Sequence, residues 1–149
     1  MRLEISHSTD VDRWIIEHHY LHSAPAGARL RLWIKDDDGS VIGAMMWGRP
    51  SARTYDYERI MELTRLYMID DTEPYAESRA LGMARKLIRK KFPKIKGLIS
   101  YSSTGENHKG TVYLADGWFA VGKTRAAAWN KEKRKNIDTS KKIRWVRTA

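Results

Sequence analysis

The chain has 149 residues, 42% hydrophobic and 31% charged, enough for one domain with a core of its own. It has no cysteine, which excludes disulfides, thiolate catalysis and Cys-ligated zinc, and no apolar run approaches the roughly 18 residues of a membrane span. The formal charge of +10 is concentrated at one end: residues 123–149 carry ten Lys/Arg against Glu132 and Asp138, while the remainder is nearly balanced, with 18 basic and 16 acidic side chains.

Met1 to Ile5 reads as a short first strand, and the absence of an apolar h-region there points to a cytoplasmic protein without a secretory signal. Thr9, with Asp12 three residues on, resembles a capping box and opens a helix through about Tyr20, with Val11, Trp14, Ile15 and His18 on one face. SAPAG breaks that helix. ARLRLWIKD then alternates polar and apolar, turns at DDDGS and returns as VIGAMMWGRP, a hairpin. MELTRLYMID is a fourth strand. A helix from about Ala76 to Phe92 follows, with Ala80, Leu81, Ala84, Leu87 and Ile88 inward and Pro93 stopping it. GLISYSS is a fifth strand, NHKGTVYLAD a short helix and WFAVGKT a sixth strand. The terminal KKIRWVRT alternates like an edge strand and is a candidate seventh. The order suits a single α/β (α+β) domain spanning 1–149, a mixed sheet with helices on its faces, carrying a strongly basic segment 123–149.

Three of five histidines fall in EHHYLHS (residues 17–23). His18 and His22 have the i, i+4 spacing of a metal pair on a helix. No HExxH order accompanies them, Pro25 ends the helix and no third ligand is evident, so no metal is expected. The junction from Asp70 to Gly82 passes from strand to helix, where free N–H groups and the dipole make an anion site that Ser78 and Arg79 could extend. A plain capped helix start, with Glu73 and Glu77 in its first turn, explains the same residues. The basic tail, with Trp129 and Trp145, suits a polyanion or else a solubilising extension. Glu62 is either a general base or a salt-bridge partner for Arg65. Tyr101 stacks on an acceptor base or fills the core, and Asn107 and His108 either cap the short helix or face a cofactor.

The order of elements resembles the GNAT superfamily of acyl-CoA-dependent N-acyltransferases, although of the usual Gln/Arg-x-x-Gly-x-Gly/Ala loop only Arg79 and Gly82 are matched. A closer resemblance is to the Mom family of phage DNA-modification proteins. It rests on ELTRLYMID, AESRALGMARKLIRK and ISYSSTGENHKGTVYLADGWFAVGKT, over most of residues 62 to 124. Ser103 stands where that family often has an acid.

The resemblance implies a GNAT-like, mostly antiparallel central sheet of six to seven strands. It implies transfer of an acyl-derived, methylcarbamoyl-type group to the exocyclic N6 amine of adenine in double-stranded DNA, protecting phage DNA from restriction in the host cytoplasm. The donor implied is acetyl-CoA or another acyl-CoA, held by Leu66 and Met68 of the fourth strand, by Ser78, Arg79, Ala80 and Gly82 of the next helix, and by Asn107. Tyr113 stands where GNAT enzymes often carry a tyrosine that protonates the departing thiolate, and a core tyrosine is the competing reading. Glu62, Tyr101, His108 and His22 complete the candidate catalytic set. Tyr20 and His19 would wall the acceptor side, Arg125, Lys131, Lys133 and Arg134 would hold phosphates, and Arg49 and Arg53 form a second candidate surface for them. Two alternatives stay open: an acetyltransferase for another amine (a modified base, small molecule or protein), and a catalytically inactive GNAT scaffold that binds DNA. Oligomeric state is open, a homodimer included.

Overall fold

A computed structural model describes residues 1–19, 21–69, 75–103, 107–123 and 142–149, with the backbone alone at 103, 107–109 and 123. The elements are β1 (Arg2–Ser6), α1 (Asp10–His18), β2 (Leu30–Lys35), β3 (Val41–Gly48), β4 (Ile60–Met68), α2 (Ala76–Lys91), β5 (Gly97–Ser103), α3 (Asn107–Ala115), β6 (Phe119–Lys123) and β7 (Lys142–Thr148). They build a seven-stranded sheet of order β1-β2-β3-β4-β5-β7-β6. Every neighbouring pair is antiparallel except β4 and β5, whose parallel pairing is made possible by the α2 crossover. The mixed, mostly antiparallel sheet matches the expected architecture.

Apolar residues sort to both faces. On one, α2 and α3 cover Leu32, Met45, Met61, Leu66 and Leu98 with Ala80, Leu81, Ile88 and Tyr113, joined by Trp118 from the turn after α3. On the other, Val11 and Ile15 of α1 pack on Ala44 and Met46, with Trp14, Trp33 and Tyr67 around them. Trp14 stacks on His18 at 4.1 Å, so that histidine lies against the helix's aromatic edge and outside the core.

Two details differ from the sequence reading. Thr9 makes no side-chain cap, its backbone at φ −74, ψ 5 lacking the extended conformation of a cap residue, and the Asp12 carboxylate goes to a two-point ion pair with Arg31 of β2, at 2.6 and 3.2 Å. The Ser8 hydroxyl instead accepts the Asp10 N–H at 3.1 Å, and α1 ends at His18. The terminal strand is interior, inserted between β5 and β6. Its basic residues look like an edge pattern, yet Trp145 is 4% exposed and donates to the buried Ser102 hydroxyl at 2.8 Å. The edge position belongs to β6, where Phe119 is 70% exposed.

The working part of the sheet is its centre. Trp47 pairs with Leu63 but Met46 pairs with Arg65, so Thr64 is an extra residue in β4, a β-bulge. Its hydroxyl donates to the Met46 carbonyl at 3.0 Å. The bulge rephases the strand: Leu63, Leu66 and Met68 all reach the α2/α3 core, while Glu62 and Arg65 share the opposite face. Parallel pairing of β4 with β5 stops at Leu63 and Ser100. Beyond that point β4 runs on to Met68, and β5 continues to Ser103 paired with β7. The two strands part, and a cleft opens between them.

Candidate active site

The cleft holds a cavity of about 580 Å³ that takes Glu62 to Leu66 from β4, Ser100 to Ser102 from β5, Tyr113 from α3 and Lys142 from β7. His19, Leu21 and Ser23 close it on one side, Arg49 and Ser51 on another. Both faces of the sheet contribute, because the parted strands leave a passage from one face to the other.

Glu62 is 7% exposed and holds its carboxylate through Ser51, whose N–H and hydroxyl both donate to Oε1 at 2.9 Å. Burial pushes its carboxyl above the ordinary glutamate range; the Ser51 bonds and the positive fields of Lys142 and Arg65 offset only part of that. Arg65 acts on Glu62 through its field. Its hydrogen bonds go to the Ser23 carbonyl and hydroxyl and to the Thr64 carbonyl, tying β4 to the loop after α1. Tyr101 lies near by: burial and the Glu62 carboxylate push its phenol up, with Tyr55 adding and Arg144 opposing. Arg144 sits across from Tyr101 in the β5–β7 ladder, and its Nε is buried with no partner among the described residues.

Tyr113 is 5% exposed, stacked on Trp145 at 5.5 Å and edge-on to Trp118 at 5.3 Å. Its hydroxyl is 2.7 Å from Ser100 Oγ, and Ser100 donates its single proton to the Leu63 carbonyl at 3.2 Å. The phenol is therefore the donor to Ser100. His19 is 5% exposed, and its Nδ1 accepts the Leu21 N–H at 3.2 Å, which leaves the neutral ring's proton on Nε2.

Of the expected catalytic residues, Glu62, Tyr101 and Tyr113 meet in this cavity. His22 does not join them. It is exposed beyond the end of α1, at φ 48, with its Nδ1 on the Ile16 carbonyl at 3.1 Å, and His19 takes the place at the cavity wall. With α1 ending at His18, the two histidines share no helical face. Among the described residues no group of three His, Asp or Glu is placed to hold a metal. Arg49 lines the cavity; Arg53 is exposed in the same loop. Asn107 and His108 open α3, and their side chains lie outside the described residues, as do Tyr20, Arg125, Lys131, Lys133 and Arg134.

The expected cofactor residues divide. Leu66 lines the cavity, and Met68 is 5% exposed in the core and does not line it. Ser78 turns its hydroxyl back to the Tyr75 carbonyl at 3.0 Å, so its proton is not offered to a phosphate. Ala80 is core, and Gly82 lies against Asp116, where an added Cβ would stand 3.4 Å from Oδ1. Arg79 is exposed in the first turn of α2. Tyr75 caps that helix in a left-handed conformation at φ 64 with no side-chain cap bond. Two features are of the kind an acyl-CoA would need: the β4 edge beyond Leu63, which on the β5 side pairs with no strand among the described residues, and the α2 N-terminus with Arg79 for phosphates. Ser51, Ser100 and Lys142 were not expected at the site. Serines in a loop or a strand carry no periodic signal, and Lys142 arrives only because β7 is interior.

Among the described residues no helix is long and apolar enough to cross a membrane. The sequence model of the Mom protein family matches residues 2–148. The chain is 26% identical over 118 residues to the methylcarbamoylase Mom of Escherichia phage Mu, a match covering 74% of this chain and 45% of that protein. It thus spans about half the length of this curated relative. Among solved structures it is similar to mutant forms of the spermidine/spermine N-acetyltransferase SpeG from Vibrio cholerae, with TM-score 0.69, 10% identity and coverage of 99% and 93% of the two chains. The IAA acetyltransferase from Bacillus cereus matches with TM-score 0.65 and 12% identity over 99% of both chains. An aminoglycoside acetyltransferase in complex with coenzyme A matches with TM-score 0.62 and 9% identity, over 80% of this chain and 65% of that one. These likenesses establish a GNAT-like fold.

Proposed function

The chain belongs to the Mom protein family, and on that premise we propose that it transfers an acyl-derived, methylcarbamoyl-type group to the N6 amine of adenine in DNA. One observation carries this reading above the others: a buried carboxylate, Glu62, faces the cleft where the sheet parts, with its pKa raised by burial. Adenine N6 is a weak nucleophile because its lone pair is delocalised into the ring. A base in contact and tight positioning are what such an attack requires.

In this scheme Glu62 accepts a proton from N6 as the new N–C bond forms, and Ser51 fixes the carboxylate for that transfer. An acyl-CoA, when bound, would supply the carbon that N6 attacks, its C–S bond breaking to release the thiolate, and the amide nitrogen of a methylcarbamoyl-type product would come from a separate step with an ammonia-equivalent donor. Tyr113 holds its proton at Oη in the bond to Ser100 Oγ at 2.7 Å, and a turn of the hydroxyl away from Ser100 would deliver it to that leaving group. Leu66 and the free β4 edge hold the cofactor arm, and the α2 N-terminus with Arg79 holds its phosphates. Adenine in a duplex is out of reach, so the base must be flipped into the cavity, where Tyr101 and His19 stand at the wall. A modification of this kind would protect phage DNA from restriction enzymes.

The cavity's charge bears on the rival acceptor, a polyamine or other cationic amine. Among the described residues its wall carries Arg49, Arg65 and Lys142 against one carboxylate, Glu62. That balance repels a polycation and suits a base attached to phosphates. Mass spectrometry of nucleosides from DNA of cells expressing the protein tests the proposal. A new adenine species that disappears with Glu62→Gln is the expected result. Unaltered adenine, with the protein folded and abundant, would refute it.

A further inference from the structure

A second hollow of about 410 Å³ lies between the loop after β3 and the end of α2, and it shares Arg49 with the main cavity. Four cations line it, Arg29, Arg49, Lys91 and Lys94, against one carboxylate, Glu58. Outside residues 123–149 the chain is nearly neutral, so this is a local excess and not a general property of the surface. Two aromatic rings stand among the cations. The Arg49 guanidinium sits 4.3 Å from the centre of Tyr57, and that of Arg29 sits 5.4 Å from the centre of Phe92. Arg29 also donates to the Tyr57 carbonyl at 2.9 Å. Both guanidinium groups are thus held in place by a ring, so little side-chain entropy is lost when an anion arrives. Lys91 and Lys94 are exposed on either side of Phe92 and Pro93, with no ion pair among the described residues.

Cations interleaved with ring faces are the chemistry that holds a nucleotide strand: phosphates meet the charges and bases or sugars meet the rings. We infer that this hollow binds the strand next to the flipped nucleotide, its phosphates on Lys91, Lys94 and Arg29 and a neighbouring base or sugar on Tyr57. Arg49 then stands at the boundary between the flipped nucleotide and the strand that carries it. The inference rests on the nucleic-acid acceptor proposed above, and it assigns the strand's path to this side of the cleft.

Fluorescence anisotropy of a labelled duplex, titrated with the full chain at several salt concentrations, tests it without requiring catalysis. Lys91→Gln with Lys94→Gln should lower the slope of log affinity against log salt by about 1.8, the value for two lost phosphate contacts. Affinity at low salt should fall about tenfold, with the thermal shift given by acetyl-CoA unchanged. Glu58→Gln should tighten binding. Lys86→Gln with Lys90→Gln removes the same charge from exposed positions of α2 outside the hollow and should leave the slope near the wild-type value. An unchanged slope in the first pair, or an equal fall in the control pair, overturns the inference. Nucleoside mass spectrometry on the wild type separates the two claims. Modified adenine with an unchanged slope removes the strand surface alone, and a lowered slope with unmodified adenine removes the acceptor chemistry alone.

Discussion

The Tyr113 hydroxyl donates to Ser100 across 2.7 Å, and Ser100 passes its own proton to the Leu63 carbonyl, on the last residue of β4 still paired with β5. The phenol that faces the cleft is thus oriented by the strand pair whose parting creates the cleft. Tyr113→Phe keeps the ring stacked on Trp145 and removes only the hydroxyl. Turnover should fall by roughly 10²- to 10⁴-fold, the usual range for a lost general acid. Circular dichroism and Tm should stay near wild type. Unaltered turnover in a folded variant would return Tyr113 to the role of a core tyrosine.

Asp116 ties the turn after α3 to α2. It accepts two hydrogen bonds from Arg85 of α2, at 2.9 and 2.7 Å, and one from the Trp118 indole at 2.8 Å. Its side chain is 6% exposed and that of Arg85 15%. Removing one partner of such a pair strands the other charge in a poorly solvated place. Asp116→Ala should therefore cost about 3–5 kcal/mol in urea unfolding. A cost below about 1 kcal/mol would mean that Arg85 finds water when its partner is gone.

Two glycines of β3 make a matched pair. A Cβ at Gly43 would stand 2.6 Å from the Tyr67 carbonyl oxygen and 2.8 Å from Met68 Cγ, whereas one at Gly48 meets nothing nearer than 4.0 Å. Gly43→Ala forces backbone of β4 to move and should destabilise by about 1–3 kcal/mol. Gly48→Ala should be neutral, or stabilising by about 0.4–1 kcal/mol through the unfolded state. Equal effects in thermal or urea unfolding would contradict the close approach of β3 to β4.

The elements themselves were legible because each carries a strong period, such as ARLRLWIKD at two residues and the Ala80 to Ile88 face of α2 at 3.6. What escaped was tertiary competition. The Thr9–Asp12 box lost its acid to Arg31, a residue 19 positions away, and no local pattern announces that. KKIRWVRT was readable as a strand, but its insertion beside β5 depends on pairing between distant segments. Placement at the site followed the same division. Glu62, Tyr101 and Tyr113 sit on strands or helices whose phase could be read. His19 and His22 lie past the end of α1, where a single residue decides which ring faces the cavity. The bulge at Thr64, which carries β4 from Glu62 to Arg65 without losing Leu66 from the core, leaves no mark in the alternation.

Glu62 should show opposite signs for stability and activity. Its folded pKa is raised, chiefly by burial, so the folded state holds this proton more tightly than the unfolded chain. Its stabilising effect is therefore complete below the ordinary glutamate pKa of about 4.3 and is lost as pH rises through the higher folded value. Above that folded value the buried carboxylate is ionised, held by Ser51 but still at a cost. Glu62→Gln removes that cost while its side-chain carbonyl can still accept from Ser51. The variant should melt at a higher temperature than wild type at pH 7, and the gain should shrink to nothing by about pH 4. Turnover should fall in the same variant by roughly 10²- to 10⁴-fold, and the wild-type rate should rise with pH along a limb displaced above the ordinary glutamate range. Melting curves from pH 4 to 8, paired with a pH–rate profile, check both halves. A Tm lowered at every pH would make Glu62 an anchor for the Ser51 loop and not a base kept at the expense of stability.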